Sequence, residues 1–395
     1  MSTFTQNKQG LKVLAAGSAI QLFLGILYLW SVFVIPVSEV YAWDINAVKL
    51  TTSFLLSFFV VGILAGGKLQ LVIGAGRVVL LGGLMLSGGL LLTGLLPASL
   101  AWIIYISYGV LGGFGVGAGY GTIISAAQRW FPQNRGLATG ISVSTFGFST
   151  VLFAPLNEVF IWQFGVRNTF MILGISFLLV VLALFRFIRL PDDSGPAAAP
   201  SAALLAKRQY TFSETIRTGN FYFITGAMML ATATYFILNP SFKTLALERG
   251  LDDSFGTILV MLTGITSALG RLAAPILSDK IGREKAAITI ILGTALSAAL
   301  LCLPGSILFM AAVAVIAFCF GGYSGVFPVL TADYFGIKNV GANYGGVMVG
   351  FAVSALFFPM ALGFIDSYTV KFVVLAASAC IGAIMIRLLT VSGKQ

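Results

Sequence analysis

The chain has 395 residues, of which 58% are hydrophobic and 9% are charged. A soluble domain carries about 25% charged residues. The composition therefore excludes both a soluble and a disordered chain. It contains no histidine, which excludes a Ser-His-Asp triad and a His-ligated metal site. The net charge of +10 is scattered over short loops, so we predict that the chain binds no nucleic acid. We predict a membrane protein that is not an enzyme and has no cofactor or metal.

Twelve apolar segments follow one another along the chain, each long enough to span a bilayer. They are predicted at 11–37, 47–70, 78–97, 100–127, 135–160, 166–189, 219–245, 254–278, 286–303, 305–331, 340–364 and 369–391. The polar interval between the sixth and seventh is rich in Pro, Ser and Ala, which is typical of a linker. The pattern predicts an all-α protein with six-helix bundles at 1–190 and 219–395 and a cytoplasmic linker at 191–218. Within it, Thr211-Phe-Ser-Glu214 predicts the start of a short surface helix.

Loop charges predict the orientation of the chain in the membrane. With the N-terminus inside, 17 Lys and Arg residues fall on the inner side and five on the outer side. Since cytoplasmic loops carry the excess of cations, we expect both termini in the cytoplasm and a multi-pass protein of the cell (inner) membrane.

The two halves of the chain are weakly similar to each other. Gly119-Tyr120 precedes Trp130-Phe131, as Gly322-Tyr323 precedes Tyr334-Phe335. A parallel repeat of six-helix halves is typical of a transporter whose binding site lies between the halves, near the bilayer midplane.

The loop 278–285 reads Ser-Asp-Lys-Ile-Gly-Arg-Glu-Lys and resembles the inner-loop signature of the major facilitator superfamily. Asp279, Lys280 and Arg283 are therefore predicted gating residues, because an acid at a helix end can accept hydrogen bonds from an Arg and from a neighbouring helix N-terminus. In the first-half copy, Leu71 stands where the acid belongs and Val72 where a cation belongs, so the residues for a charge latch are missing there.

Further motifs are similar to the oxalate–formate antiporter and monocarboxylate transporter branch of that superfamily. They are Arg129-Trp-Phe-Pro132, followed by Arg135-Gly-Leu-Ala138, with Gly25-x-x-Tyr28-x-Trp30 in segment 1 and Asn343-Tyr-Gly345 in segment 11. The resemblance implies the major facilitator fold, a small carboxylate as substrate and a working monomer.

Arg271 is the most informative single residue, because it lies inside segment 8, eight residues before Asp279. That spacing corresponds to about 12 Å along a helix, which is well within a hydrocarbon core about 30 Å thick. All 13 acidic residues map to loops or helix ends. We therefore predict that an anionic substrate pairs with this guanidinium through two parallel hydrogen bonds, and the resemblance implies the same role; the alternative is a guanidinium capped by backbone carbonyls.

Position 351 helps to choose the substrate. Dicarboxylate carriers of the resembled branch have a second cation eight residues after the asparagine of Asn343-Tyr-Gly345, where this chain has Phe351. One buried cation balances one carboxylate, so a monocarboxylate is favoured over oxalate; the alternative is a shifted register in which Lys371 compensates.

Aromatic residues at membrane depth are predicted to line the cavity. The hydroxyls of Tyr28, Tyr120 and Tyr323 can donate to a carboxylate. The apolar walls are assigned to Trp30, Phe146, Phe320 and Phe351.

The sequence supports three hypotheses about function. The first is transport of small monocarboxylates such as lactate or pyruvate by alternating access, coupled to protons. The second is exchange of a dicarboxylate for a monocarboxylate, and the third, from another class, is a membrane sensor or structural subunit without flux. The proton-carrying group is open: Ser267 stands one turn before Arg271, where the branch often has an acid, and Asp252, Asp253 or the substrate itself could carry the proton.

Overall fold

The computed structural model describes residues 7–191, 208–239, 245–246, 248–251 and 253–389. Of these, the side chains of 27–28, 253–258 and 260–261 lie outside the description. The described residues also leave out 192–207, which is most of the predicted linker, and 240–244, at the predicted end of segment 7.

The described residues of the first half form six α-helices. They are α1 (Lys8–Leu24), α2 (Trp30–Val40), α3 (Ile45–Ile73), α4 (Ala75–Leu95), α5 (Gly113–Trp130) and α6 (Arg135–Leu184). A 3-10 helix over Gly25–Leu29 joins α1 to α2, and a π-helix over Tyr105–Gly112 leads into α5. Gly165 has a φ of 76° and interrupts α6, because glycine adopts this backbone conformation without steric cost.

The described residues of the second half form seven α-helices. They are α7 (Phe212–Thr215), α8 (Gly219–Leu238), α9 (Asp253–Ile281), α10 (Arg283–Leu300), α11 (Ser306–Phe335), α12 (Val340–Gly363) and α13 (Tyr368–Arg387). The predicted surface helix is confirmed as α7, where Thr211 and Glu214 form a capping box. Side-chain caps also start α8 at Thr218 and α13 at Ser367, since both hydroxyls accept from a backbone N–H of the first turn.

Each of the twelve predicted segments coincides with helix, so the predicted all-α membrane architecture is confirmed. Among the described residues, eight helical stretches are long and apolar enough to cross a membrane. One of them, Arg135–Phe187, covers the predicted segments five and six, with the break at Gly165 between them.

The chain forms two compact units. Unit 1 consists of Met1–Gln133, Thr145–Lys207 and Ile337–Gly345, and unit 2 consists of Asn134–Ser144, Arg208–Gly336 and Gly346–Gln395. Unit 2 thus includes the first turns of α6, and unit 1 includes the first turns of α12. The bundle limits at 190 and 219 stay a prediction.

Glycines set the closest helix contacts in each unit. In unit 1, a side chain at Gly117 of α5 would collide with the carbonyl of Phe59 in α3. In unit 2, a side chain at Gly321 of α11 would collide in the same way with the carbonyl of Ser267 in α9. Because small residues let membrane helices approach to backbone contact, the α9–α11 pair holds the segment that carries Arg271 in a fixed position.

Candidate functional site

Arg271 is buried in unit 2, with 4% of its surface exposed. It lies in α9, ten residues before the helix ends at Ile281 and eighteen after it begins at Asp253. A side chain at Gly325 of α11 would lie 3.0 Å from the carbonyl oxygen of Arg271, and one at Gly140 of α6 would lie 3.5 Å from it. The backbone of Arg271 is therefore clamped between two neighbouring helices, which fixes the origin of its side chain.

Four rings of unit 2 form an aromatic cluster made of Tyr235, Phe236, Phe320 and Phe351. Phe320 stacks on Tyr235 with 3.8 Å between ring centroids, and Phe236 packs edge-on against Phe351 at 5.0 Å. The rings of Phe320 and Phe351 are 6.1 Å apart. Position 351 thus carries a ring that is held by other rings.

Sequence reasoning missed Tyr235 and Phe236, although both belong to α8 at membrane depth. No motif contains them, and any aromatic residue in an apolar helix looks like ordinary packing. Only the contact with Phe320 brings them to the predicted residues.

Tyr323 lies in unit 2 but points toward α10. Its hydroxyl is 2.5 Å from the Thr294 hydroxyl and 3.3 Å from the carbonyl oxygen of Ile290, to which it donates. Only 1% of the residue is exposed. A carboxylate would have to displace Thr294 to reach this hydroxyl, so the contacts of Tyr323 favour a packing role over the predicted one.

Tyr120 and Phe146 come together in unit 1. Their rings pack edge-to-face at 4.9 Å, and Phe59, which the sequence did not single out, lies 5.3 Å from Tyr120. All three residues are buried. The predicted pair is therefore part of one ring cluster built from α3, α5 and α6.

Trp30 belongs to the packed interior of unit 1. Its indole N–H donates to the carbonyl of Val48 at 3.0 Å, and its ring lies 4.5 Å from that of Tyr108. The indole donor is thus used within the unit. Tyr28 falls in the 3-10 helix Gly25–Leu29, and its side chain lies outside the described residues.

Two of the three predicted gating residues, Asp279 and Arg283, form an ionic network with two residues that sequence reasoning did not place there. Asp279 accepts from the backbone N–H groups of Gly136 at 3.1 Å and Leu137 at 3.0 Å, and it pairs with Arg283. Arg283 also reaches Asp333 at 3.3 Å, which in turn pairs with Arg135. Asp279 therefore binds both an Arg and the first turn of α6. Lys280 is exposed at the end of α9.

The matching place in unit 1 is packed around a glycine. A side chain at Gly67 would collide with the backbone of Gly341 and Ala342, and Gln70 donates to the Ser125 hydroxyl at 3.2 Å. Leu71 and Val72, in place of the acid and cation, are exposed. Contact between α3 and α12 therefore rests on glycine packing.

Two regions of the chain, 15–230 and 224–394, match the family model described as Major Facilitator Superfamily. An uncharacterized MFS-type transporter of Escherichia coli, YhjX, is 28% identical over 85% of this chain and 83% of its own length. The oxalate:formate antiporter of Oxalobacter formigenes is 28% identical over 84% of this chain and 79% of its own. Monocarboxylate transporter 12 of Xenopus laevis is 25% identical over 72% of this chain and 68% of its own.

Solved structures share the fold at lower identity. The human organic anion transporter MFSD10 superposes with a TM-score of 0.72 at 14% identity, covering 96% of this chain and 99% of its own. The fucose:proton symporter FucP of E. coli superposes with a TM-score of 0.68 at 12% identity, covering 95% of this chain and 97% of its own.

Proposed function

Because the chain belongs to the major facilitator superfamily and is a secondary transporter of that type, we propose that its substrates are small monocarboxylates of the lactate or pyruvate kind. They cross the membrane by alternating access, and Arg271 binds their carboxylate. Relatives that are named as carriers of oxalate, formate, pyruvate and monocarboxylates support this substrate class.

The single observation that carries the proposal is the burial of Arg271 at membrane depth. Placing an Arg at the centre of a membrane helix costs at least about 2.5–3.5 kcal/mol. A function that needs the cation explains why the chain retains it. A guanidinium matches a carboxylate with two parallel hydrogen bonds, and a low local dielectric strengthens them.

The lack of a second cation supports one carboxylate per substrate. Phe351 occupies the branch's second-cation position and is packed in the aromatic cluster. The loop Gly67-x-Leu69…Gly74 of the first half recurs as Pro275-x-Leu277…Gly282, and with the same offset Ile63 corresponds to Arg271. A dianion at Arg271 would therefore leave one buried charge without a matching cation at either position.

In the proposed mechanism, Arg271 neutralises the carboxylate and Tyr120 and Tyr28 orient it. The aromatic cluster contacts the short apolar tail, which sets the size limit. The paired ions reorient at lower cost than a bare guanidinium, because the pair carries no net charge.

Proton coupling is part of the proposal, with Asp252, Asp253 or the substrate itself as the proton carrier. Ser267 precedes Arg271 by one turn and cannot titrate in the physiological range. Asp252 and the side chain of Asp253 lie outside the described residues. Uptake of lactate into proteoliposomes should therefore rise with an inward proton gradient, and uptake that ignores the gradient would leave exchange or uniport.

A counterflow assay in proteoliposomes tests the function directly. Lactate-loaded vesicles should accumulate labelled lactate or pyruvate. The variant Arg271→Gln should abolish this accumulation. The control Lys285→Gln, which removes an exposed cation of unit 2, should leave it unchanged. Oxalate-driven formate exchange would instead support the antiporter hypothesis, and ligand binding without flux would support a sensor. Equal transport by Arg271→Gln would refute the site.

A further inference from the structure

The inner end of unit 1 carries exposed cations that no acid of the described chain balances. Five of them are Lys8, Lys12, Arg77, Arg186 and Arg189, all exposed. The described acids of unit 1 are Glu39, Asp44 and Glu158, which belong to the opposite ends of their helices. This end of unit 1 therefore has a strong positive potential.

Three inner cations of unit 2 form ion pairs with acids. Arg135 pairs with Asp333, Arg283 with Asp279, and Arg208 with Glu214. Acids thus offset part of the inner charge of unit 2, although Arg217 and Lys285 stay exposed there, whereas no described acid lies at the inner end of unit 1.

Helix packing brings together the segments that carry these cations, next to the buried residue Ile188 and to Trp130, whose carbonyl accepts from the Asn7 amide at 3.0 Å. A side chain at Gly17 of α1 would meet Ile188, and one at Gly76 of α4 would lie 2.8 Å from its carbonyl oxygen. Arg77 follows Gly76 directly, and Arg189 follows Ile188. The indole of Trp130 donates to the carbonyl of Arg189 at 2.7 Å, which fixes this stretch of backbone to α5.

Apolar side chains border the same cations. Phe187 is 50% exposed and lies next to Arg186 in the chain, and Leu182, about one turn earlier, is also exposed. The guanidinium carbon of Arg186 lies 5.7 Å from the centroid of the Phe185 ring. Exposed apolar surface beside exposed cations matches a phospholipid, whose phosphate meets the cations while its acyl chains cover the apolar side chains.

We propose that this patch, formed by Lys8, Lys12, Arg77, Arg186 and Arg189, binds the phosphate of an anionic phospholipid of the adjoining leaflet. The orientation predicted from the loop charges makes that the cytoplasmic leaflet, whose anionic lipids attract basic segments. A lipid is favoured over a soluble phosphate because the apolar border adjoins the cations. The lipid anchors the inner end of α1, α4 and α6 and does not depend on the identity of the transported substrate.

Lipid retention by the purified full-length protein tests this proposal. Phosphatidylglycerol and phosphatidylcholine with the same acyl chains are titrated, and bound lipid is counted by native mass spectrometry. Phosphatidylglycerol should bind more tightly, and Arg77→Gln combined with Arg186→Gln should weaken it by about fivefold per cation removed. The matched control, Arg217→Gln with Lys285→Gln, removes two exposed cations at the same end of unit 2 and should change binding less than twofold.

Four results would overturn the proposal. One is equal binding of the two lipids, and another is an equal loss in both double variants. The third is displacement of phosphatidylglycerol by millimolar inorganic phosphate, which would identify a soluble anion as the ligand. The fourth concerns the linker acids Asp192 and Asp193, which compete with a lipid for the patch. Lipid binding that appears only in the double variant Asp192→Asn with Asp193→Asn would show that the cations pair with the linker. Thermal-shift measurements in phosphatidylcholine check that each variant is folded.

Discussion

The carboxylate of Asp279 accepts a hydrogen bond from the backbone N–H of Gly136, 3.1 Å away, so the end of α9 caps the start of α6. The second carboxylate oxygen accepts from Leu137 at 3.0 Å. A helix N-terminus carries a partial positive charge and unsatisfied N–H groups. The pair is therefore joined by charge and by geometry, and Gly136 is needed because a side chain there would collide with the carbonyl of Pro275.

Asp279→Asn should weaken this contact and leave the helices themselves intact. The amide keeps an acceptor oxygen but loses the charge that attracts Arg283 and the helix terminus. We therefore expect the free energy of unfolding to fall by about 1–2 kcal/mol, as for the loss of a helix cap. A thermal-shift measurement should show a lower Tm than that of Lys280→Gln, which removes an exposed charge at the next residue. An unchanged Tm in Asp279→Asn would mean that the contact does not contribute to the stability of the protein.

Gly67→Ala should destabilise the contact between α3 and α12, because the added Cβ would collide with the backbone of Gly341 and Ala342. Backbone atoms cannot move aside as a side-chain end can, so the helices must separate. Gly88→Ala is the matched control, since a Cβ there meets nothing within 4 Å. The Tm should fall in the first variant and hold or rise slightly in the second, because alanine favours a helix. Equal effects would show that the close approach is not stabilising.

Phe351→Lys should shift selectivity toward dicarboxylates. A second cation beside Phe320 and Phe236 would balance the second carboxylate of oxalate, at the cost of breaking the aromatic cluster. Oxalate should then raise the Tm of the variant but not that of the wild type, while lactate binds more weakly. Phe351→Leu removes the ring without adding charge and separates the two effects. Oxalate binding by Phe351→Leu as well would attribute selectivity to space alone.

Tyr323→Phe and Tyr120→Phe should behave differently. The Tyr323 hydroxyl is bonded to Thr294 and Ile290, so its loss should cost about 1 kcal/mol of stability and leave the KM for lactate within about twofold. Tyr120→Phe should raise the KM for lactate, since its hydroxyl is proposed to orient the carboxylate. A raised KM in Tyr323→Phe at unchanged Tm would restore Tyr323 to the binding site.

Several features of the architecture could be predicted from local sequence alone. A membrane span needs about 20 apolar residues, and this requirement is visible in any window of the sequence. The break at Gly165 and the surface helix begun by Thr211 also follow from neighbouring residues. The depth of Arg271 follows from counting along α9, since helix rise is constant.

Contacts between distant segments could not be predicted in this way. Tyr235 reaches Phe320, and Arg135 reaches Asp333, over large separations in sequence. In a helix whose residues are nearly all apolar, no periodic pattern tells a ring that packs from a ring that binds. The same limit explains Trp30 and Tyr323, whose polar atoms found partners in Val48 and Thr294.

By itself, the sequence determined that this chain spans a membrane repeatedly, belongs among carriers and holds one guanidinium deep in a helix, because length, apolarity and charge are local quantities. The tertiary structure alone decided which hydroxyls and rings are already engaged, and which acid meets which arginine. Those outcomes depend on helix rotation and on approach distances set by single glycines, and a few ångströms there decide whether a side chain finds a partner in the protein.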